Sequence, residues 1–240
     1  MARKKSKSTG KGSRSLFISI LTYLKRASLW FLALSMLWVL IYRFINPPFT
    51  SLMIQRGIER KFDGKSWKVD KTWRDYDELS TNLKKAAIAG EDAGFVHHWG
   101  FDADAIQKAY LKNRAGKPIR GGSTISQQTA KNVFLWGGRS WLRKGFEVWF
   151  TVLIEVFWSK QRILEVYLNV IEMGDGIYGA EAATQEYYSK SAESMSKRQA
   201  ALLVAVFPNP RKWTPAHPTN YIYYKRGVIM RNMRYIRLPD

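Results

Sequence analysis

The chain lacks cysteine and has only three histidines among its 240 residues. Without cysteine there is no disulfide framework, no thiolate nucleophile and no zinc–thiolate site. Three histidines argue against a histidine-rich metal centre, so the sequence predicts no metal site built from protein ligands alone. The lack of cysteine is compatible with either an oxidising or a reducing compartment.

Acidic residues are also scarce. The chain has 19 Asp and Glu against 39 Lys and Arg, a formal net charge of +20 at pH 7. Residues 1–26 carry eight of the cations and no acid, which leaves 31 cations against 19 acids in the rest. Such a charge attracts anions, namely nucleic acid, acidic lipid headgroups or phosphorylated ligands, and does not choose among them.

One long apolar run follows the basic tail. From Ala27 to Ile45 it would span roughly 28 Å as a helix, close to a bilayer core of about 30 Å. Trp30, Trp38 and Tyr42 suit membrane interfaces near the ends of such a helix. A cleaved signal peptide would have a shorter run and a small-residue cleavage site, and a buried core helix seldom follows an unbroken cationic tail.

We therefore predict three regions. Residues 1–26 form a basic cytoplasmic tail, 27–47 a single transmembrane anchor and 48–240 one domain outside the cytoplasm. The segment 48–80 is interpreted as a connector with strand-like alternation near Trp67 to Trp73, and 113–120 as a loop. The domain itself is predicted to be mainly α. Helices are predicted over Leu79–Glu91, 103–112, Ser123 or Thr124 to Phe134, Trp141 to Asn169 with a break near Ser159, Tyr178–Tyr188 and Ser196–Val206.

A Glu91-Asp92 pair lies where the first of these helices ends and a loop containing His98 begins. The helix dipole there is unfavourable for a carboxylate and tends to raise the pKa of Glu91. The pair is either a solvated acidic helix end or a carboxylate in a semi-apolar cleft that performs acid–base chemistry. His98 could orient the loop.

A second polar segment, Gly121 to Thr124, comes directly before a predicted helix. Its backbone amides suit an anion at a helix N-terminus, and an ordinary capped helix start is the alternative. The adjacent amides of Gln127 and Gln128 favour a site, since they can hydrogen-bond sugar hydroxyls. Two cations that could reach phosphate follow, Lys131 and Arg139.

A third group, Arg143, Lys144 and Glu147, shares one helical face. It is either a surface salt-bridge cluster or a carboxylate held ionised by two cations that also bind phosphate. Glu165 and Asn169 repeat the i, i+4 spacing within an apolar helix. We interpret these two as mainly structural, tying helices together.

Together these segments resemble the signature of family 51 glycosyltransferases, the peptidoglycan glycosyltransferases that polymerise lipid II. The resemblance covers roughly residues 60–215, and the length leaves no room for a transpeptidase domain. The matching segments are Glu91-Asp92-x-x-Phe95-x-x-His98-x-Gly100, Gly121-Gly122-Ser123-Thr124-Ile125-x-Gln127-Gln128, Arg143-Lys144-x-x-Glu147, Ile163-Leu164-Glu165-x-Tyr167-Leu168-Asn169 and Ile171 through Gly176 and Tyr178-Gly179 to Tyr187.

The resemblance implies a two-lobed, mostly helical, lysozyme-like domain with an apolar jaw that dips into the bilayer. It implies that Glu91 is the catalytic base, that Glu147 is a second catalytic carboxylate, and that transfer inverts the anomeric centre and releases undecaprenyl diphosphate. No cofactor is required, although Mg²⁺ or Mn²⁺ could assist at the pyrophosphate. The substrate-binding residues it implies are Asp92, His98, Ser123, Thr124, Gln127, Gln128, Lys131, Asn132, Arg139, Arg143 and Lys144.

The resemblance also implies a bacterial inner-membrane protein with a periplasmic catalytic domain. Its partners would be lipid II, the nascent glycan strand, membrane lipids, and cell-division or elongation proteins, with no nucleic acid. Three alternatives compete with this reading. They are a lytic transglycosylase or lysozyme-type muramidase, a membrane-anchored glycan-binding scaffold, and a nucleic-acid binder.

Overall fold

The computed structural model describes residues 10–104, 106–107, 111, 122–138 and 140–240. Helices dominate these residues, and three strands of two or three residues form one small sheet in which the last strand in the chain lies between the other two. The helices are α1 (Gly10–Phe44), α2 (Ser51–Phe62), α3 (Thr81–Glu91), α4 (Ile125–Phe134), α5 (Trp141–Phe157), α6 (Lys160–Val170), α7 (Ala180–Tyr188), α8 (Lys197–Ala205) and α9 (Asn220–Asn232). The strands are β1 (Asp70–Lys71), β2 (Glu172–Gly174) and β3 (Ile177–Tyr178), and short 3₁₀ helices cover Tyr76–Glu78, Ala192–Ser194 and Met233–Tyr235. The mainly α prediction is confirmed.

Hydroxyl side chains begin most of the predicted helices. The hydroxyls of Ser80, Thr124, Ser159 and Ser196 each accept a hydrogen bond from a backbone amide in the first turn of α3, α4, α6 and α8. Such caps satisfy amides that the helix itself leaves unpaired. The predicted starts are thus confirmed, and so is the break near Ser159.

Two helices differ from the prediction. The segment interpreted as a connector contains α2, capped by the Thr50 hydroxyl, as well as β1. The second, α9, lies in a segment for which no element was predicted. The helix predicted over 103–112 lies largely outside the described residues, as does the loop predicted over 113–120.

The N-terminal helix α1 is longer than the predicted anchor. Its part from Leu16 to Phe44 is long and apolar enough to cross a membrane. It starts well before Ala27 because the preceding residues, 16–24, are themselves mostly apolar. It ends at Phe44, just before Pro47, which has no backbone N–H to continue a helix. The division into regions 1–26, 27–47 and 48–240 stays a prediction.

The C-terminal half of α1 is attached to the domain by polar contacts from tryptophans. Trp149 Nε1 donates to Ser35 Oγ at 3.1 Å, and Trp158 Nε1 donates to the Val39 carbonyl at 2.8 Å. Trp38, predicted for a membrane interface, packs edge-on against phenylalanine rings of α4 and α5 and remains partly exposed. Because these contacts fall on successive turns of one face, that end of α1 belongs to the domain.

Helices α1 and α5 run side by side in the same direction. The ring of Phe31 lies 5.4 Å from that of Phe146, near the start of α5, whereas Val39 meets Trp158 just beyond its end. The first half of α5 therefore lies beside the middle of α1.

The domain has two groups of helices with a cleft between them. In one group α3, α8 and α9 pack against each other. In the other α4 packs against α5 and α6, with α1 and α2 on the outside. Fully buried side chains such as Leu83, Ile154 and Tyr167 fill the interior of both groups. The predicted two-lobed architecture is confirmed.

Candidate active site

Glu91 is the last residue of α3, as predicted, and its carboxylate is half-buried. Gln128 Nε2, on α4, donates to Glu91 Oε2 at 3.0 Å. The carbonyl oxygen of the same amide accepts a hydrogen bond from the hydroxyl of Tyr167 at 3.4 Å. A single amide therefore links the carboxylate to the fully buried Tyr167 of α6.

The pKa of Glu91 is raised above its ordinary value of 4.5. The main cause is burial, which penalises the charged form, and the negative charge of Asp92 acts in the same direction. The hydrogen bond from Gln128 and the charges of Lys225 and Lys131 act against it. The direction agrees with the prediction, and burial is the largest cause. This is the electrostatic setting of a general base.

A cleft of about 740 Å³ opens in front of Glu91. Three more predicted site residues line it, namely Ser123, Gln128 and Lys131. The opposite wall is built by residues that sequence reasoning missed. They are Phe207, Pro208, Tyr221, Tyr224, Lys225 and Val228.

The last four of these share one face of α9. Their spacing of i, i+3, i+4 and i+7 is a signal visible in the sequence. That spacing alone does not say which face of a helix meets a cleft. The information lies in the packing of α9 against α3, more than 100 residues away in sequence.

Asp92 and His98 tie the loop after α3 to the start of α4. Asp92 Oδ1 lies 2.8 Å from His98 Nε2, and Asp92 Oδ2 accepts a hydrogen bond from the Ile125 amide at 3.0 Å. His98 thus orients the loop, as predicted. Both residues were also predicted to bind substrate; they have partners within the protein and neither lines the cleft, so that role stays a prediction.

Thr124, Gln127 and Asn132 were likewise predicted to bind substrate, and the first two have partners within the protein. Thr124 and Gln127 form a capping box, and the Thr124 hydroxyl also donates to the Gly100 carbonyl at 2.7 Å. The backbone amides of Thr124, Ile125 and Gln127 thus already donate to side chains, and the predicted anion site at this helix N-terminus stays a prediction. Asn132 is buried on the next turn, and none of the three lines the cleft.

Gly100 allows this close approach of loop and helix. Its φ is +76°, a left-handed conformation that favours glycine. A Cβ at this position would lie 2.6 Å from Thr151 Cγ2 on α5. Gly100 is therefore needed both for its backbone angle and for the space that it leaves.

A cluster of charge lies beside the cleft at the start of α5. Arg143 Nη1 is 2.6 Å from Glu147 Oε2, and Lys144 Nζ contacts the other oxygen of the same carboxylate. Glu147 is buried, so the predicted carboxylate between two cations is present. The charges of Glu147, Arg143 and Lys144 also act on Lys131, which lies in the cleft. Burial lowers its pKa, Glu147 opposes that change, and Arg143 and Lys144 add to it.

The remaining predicted residues have structural contacts or lie outside the residues that the structure describes. Arg139 and Gly121 are outside the described residues. Asn169 bonds the backbone N–H and carbonyl of Arg74, each at 2.8 Å, and Glu165 pairs with Arg162 at 2.7 Å. Asn169 thus ties α6 to the segment around Arg74, in agreement with the structural interpretation, whereas the Glu165 pair lies within α6 itself.

One cluster of possible metal ligands occurs among the described residues. Ligand atoms of Asp92, His98 and Asp102 lie within 4.8 Å of one another. Both oxygens of Asp92 already accept hydrogen bonds within the protein, so an ion there would have to displace them. The absence of a metal site stays a prediction.

A half-buried carboxylate and lysines in one cleft between two groups of helices are the arrangement expected of a lysozyme-like, glycan-processing enzyme. Comparison with known proteins narrows this class. Residues 60–234 match the family model described as Transglycosylase. The chain is 53% identical over 215 residues to the Biosynthetic peptidoglycan transglycosylase of Pseudomonas syringae pv. tomato, covering 90% of this chain and 91% of the relative.

Two further relatives carry the same name. The protein from Pseudomonas fluorescens Pf-5 is 54% identical over 210 residues, 88% of each chain. The protein from Stutzerimonas stutzeri is 51% identical over 216 residues, 90% of this chain and 89% of the relative. The chain belongs to the transglycosylase family, and it is an enzyme that transfers glycosyl groups.

Proposed function

We propose that this transglycosylase builds peptidoglycan by polymerising lipid II, with Glu91 as the catalytic base. The observation that carries the proposal is that Glu91 lies in one cleft with Lys131, on the opposing helix α4. Glu91 removes the proton from the 4-hydroxyl of the acceptor lipid II. That oxygen attacks the anomeric carbon of the growing chain, the bond to the diphosphate breaks, and the configuration inverts from α to β.

The leaving group explains why the site combines one base with several cations. A diphosphate leaves with the bonding electron pair and needs positive charge rather than a proton donor. Lys131 in the cleft and Arg143 and Lys144 beside it supply that charge. A glycosidase, in contrast, requires a carboxylic acid to protonate a poor leaving group.

Glu147 acts through its neighbours in this proposal. By binding Arg143 with one oxygen and Lys144 with the other, it holds both cations at the edge of the cleft. This arrangement also bears on a divalent ion. Two cations already balance the charge of the Glu147 carboxylate, which disfavours a third cation at the same group. In this proposal Mg²⁺ or Mn²⁺ would arrive on the diphosphate itself.

The membrane assignment follows from the same substrate, because a polyprenyl diphosphate keeps its tail in the bilayer. In this proposal α1 anchors the enzyme in the inner membrane with the N-terminus in the cytoplasm and the domain in the periplasm. The basic tail and the apolar length of α1 support it. Proteins of cell division or elongation are the expected protein partners.

The test is polymerisation of labelled lipid II by the full-length, detergent-solubilised protein, with products resolved by size. The wild-type protein should make long strands that lysozyme cleaves. The Glu91→Gln variant should lose at least about 100-fold in rate, the contribution typical of a general base. Glu186→Gln, an exposed carboxylate on α7, is the matched control and should retain full activity.

Two outcomes would reject the proposal. Substantial polymerisation by Glu91→Gln would remove Glu91 as the base. Fragments released from preformed peptidoglycan, with no polymer from lipid II, would identify the lytic enzyme instead.

A further inference from the structure

The end of α3 is seated directly against α8 and α9. A Cβ on Gly90 would lie 2.6 Å from Val204 Cγ1 and 3.3 Å from Ile229 Cδ1. No side chain fits there without displacing a neighbour. Glu91, the next residue, is therefore held at a fixed position relative to α9.

Lys225 lies on the part of α9 that this packing places near Glu91. It lies four residues before Ile229, so the two share one helix face one turn apart. Lys225 and Glu91 line the same cleft. The other described residues on this wall of the cleft are uncharged aromatic or apolar side chains, so Lys225 gives the wall its charge.

The groups facing Glu91 come from four parts of the chain. Asp92 follows it directly, Gln128 and Lys131 lie on α4, Tyr167 lies on α6, and Lys225 lies on α9. Of the two cations, Lys225 has the larger effect in lowering the pKa of Glu91.

The two lysines are not equivalent during the reaction. Lys131 shares the cluster formed by Glu147, Arg143 and Lys144, where the proposed reaction places the diphosphate. A bound diphosphate would neutralise the charge of Lys131, whereas Lys225 lies on the other wall. Of the two cations, only Lys225 would then still favour the ionised carboxylate, together with the hydrogen bond from Gln128.

We propose that Lys225 is a positioning residue that keeps Glu91 ionised while the diphosphate occupies the opposite side of the cleft. The proposal rests on Glu91 being the base. Lys225 forms no bond to the substrate in this role. The proton taken from the 4-hydroxyl passes from Glu91 to water, and the nearby positive charge favours that release, so the carboxylate is restored for the next transfer.

The test is the pH dependence of lipid II polymerisation by Lys225→Met, Lys225→Arg and wild type. Removing the charge should move the acid limb of kcat upward, by about one pH unit, which is roughly a tenfold loss of rate on the acid side. Lys225→Arg should keep the wild-type limb. Arg231→Met, which removes an exposed cation of the same helix outside the cleft, should also keep it.

A second readout needs no catalysis. The carboxyl of Glu91 can be titrated by NMR in protein with ¹³C-labelled glutamate, assigned by its loss in Glu91→Gln. Its midpoint should rise in Lys225→Met, with an unchanged melting temperature to show that the variant is folded. An unshifted midpoint and acid limb, or a KM increase equal at every pH, would overturn the proposal. Failure of the wild type to polymerise lipid II would instead reject the proposed function and leave the titration interpretable.

Discussion

At the scale of single residues, Gln128 connects Glu91, the proposed base, to the core. Its amide donates to Glu91 and accepts from Tyr167, so the orientation of the carboxylate is set by a side chain that is fully buried. A group held in this way needs little reorganisation when charge develops in the transition state. The amide also favours the ionised form of Glu91, against the effect of burial.

The raised pKa of Glu91 and the lowered pKa of Lys131 predict that polymerisation proceeds over a narrowed range of pH. Glu91 must be ionised to accept a proton, and its raised pKa places the acid limb above 4.5. Lys131 must be charged to bind diphosphate, and its lowered pKa places the alkaline limb below 10.5. Gln128→Ala removes a hydrogen bond to the ionised form, so its acid limb should move further upward.

The measurement is kcat against pH for wild type and Gln128→Ala, with Gln185→Ala, an exposed amide on α7, as the control. An acid limb that stays in place in Gln128→Ala would show that the hydrogen bond does not act on the base.

Residue identities were predictable where the chemistry is local. Glu91, Gln128 and Lys131 lie together in the cleft as the polar segments indicated. Asp92 and Thr124 belong to the same segments, but their polar atoms hold the scaffold together. A sequence motif does not distinguish a side chain that meets substrate from one that positions its neighbour.

At the scale of elements, helices with a hydroxyl cap and a clear apolar face were predictable from the sequence. Those that were missed have weaker signals. The segment of α2 follows two prolines and mixes charges with its apolar residues, and the apolar positions of α9 are interrupted by tyrosines and cations. Both form because neighbouring helices cover them, and that information is not local.

The close packing of Gly90, on α3, against α8 and α9 gives a prediction at the scale of elements. Gly90→Ala should gain up to about 1 kcal/mol of helix propensity but lose about 1–3 kcal/mol by overpacking against Val204, so the clash decides the sign. The melting temperature should fall, and activity should fall with it because Glu91 is displaced.

Val204→Ala removes the clashing methyl groups. The double variant Gly90→Ala/Val204→Ala should therefore recover activity that the single Gly90→Ala variant lacks, measured with lipid II and by thermal unfolding. Full activity and an unchanged melting temperature in Gly90→Ala alone would show that the contact at 2.6 Å is relieved without cost.

At the scale of the whole molecule, the proposed topology can be tested through what the sequence lacks. Because the chain has no cysteine, single cysteines report position without background. In spheroplasts, a membrane-impermeant maleimide should label Glu186→Cys on the domain and should not label Lys7→Cys in the tail until the membrane is permeabilised. Labelling of Lys7→Cys in intact spheroplasts would show that the orientation is the opposite of the one proposed.

The attachment of α1 to α5 has a kinetic consequence. In the proposed topology α1 is the anchor, and it packs against α5 beside the cleft, so the cleft moves only within the plane in which α1 diffuses. Encounters with a lipid-borne substrate then depend on the number of substrate molecules per unit area. The apparent KM should follow the mole fraction of lipid II in the micelle or bilayer, and adding detergent at constant lipid II should slow the enzyme by surface dilution.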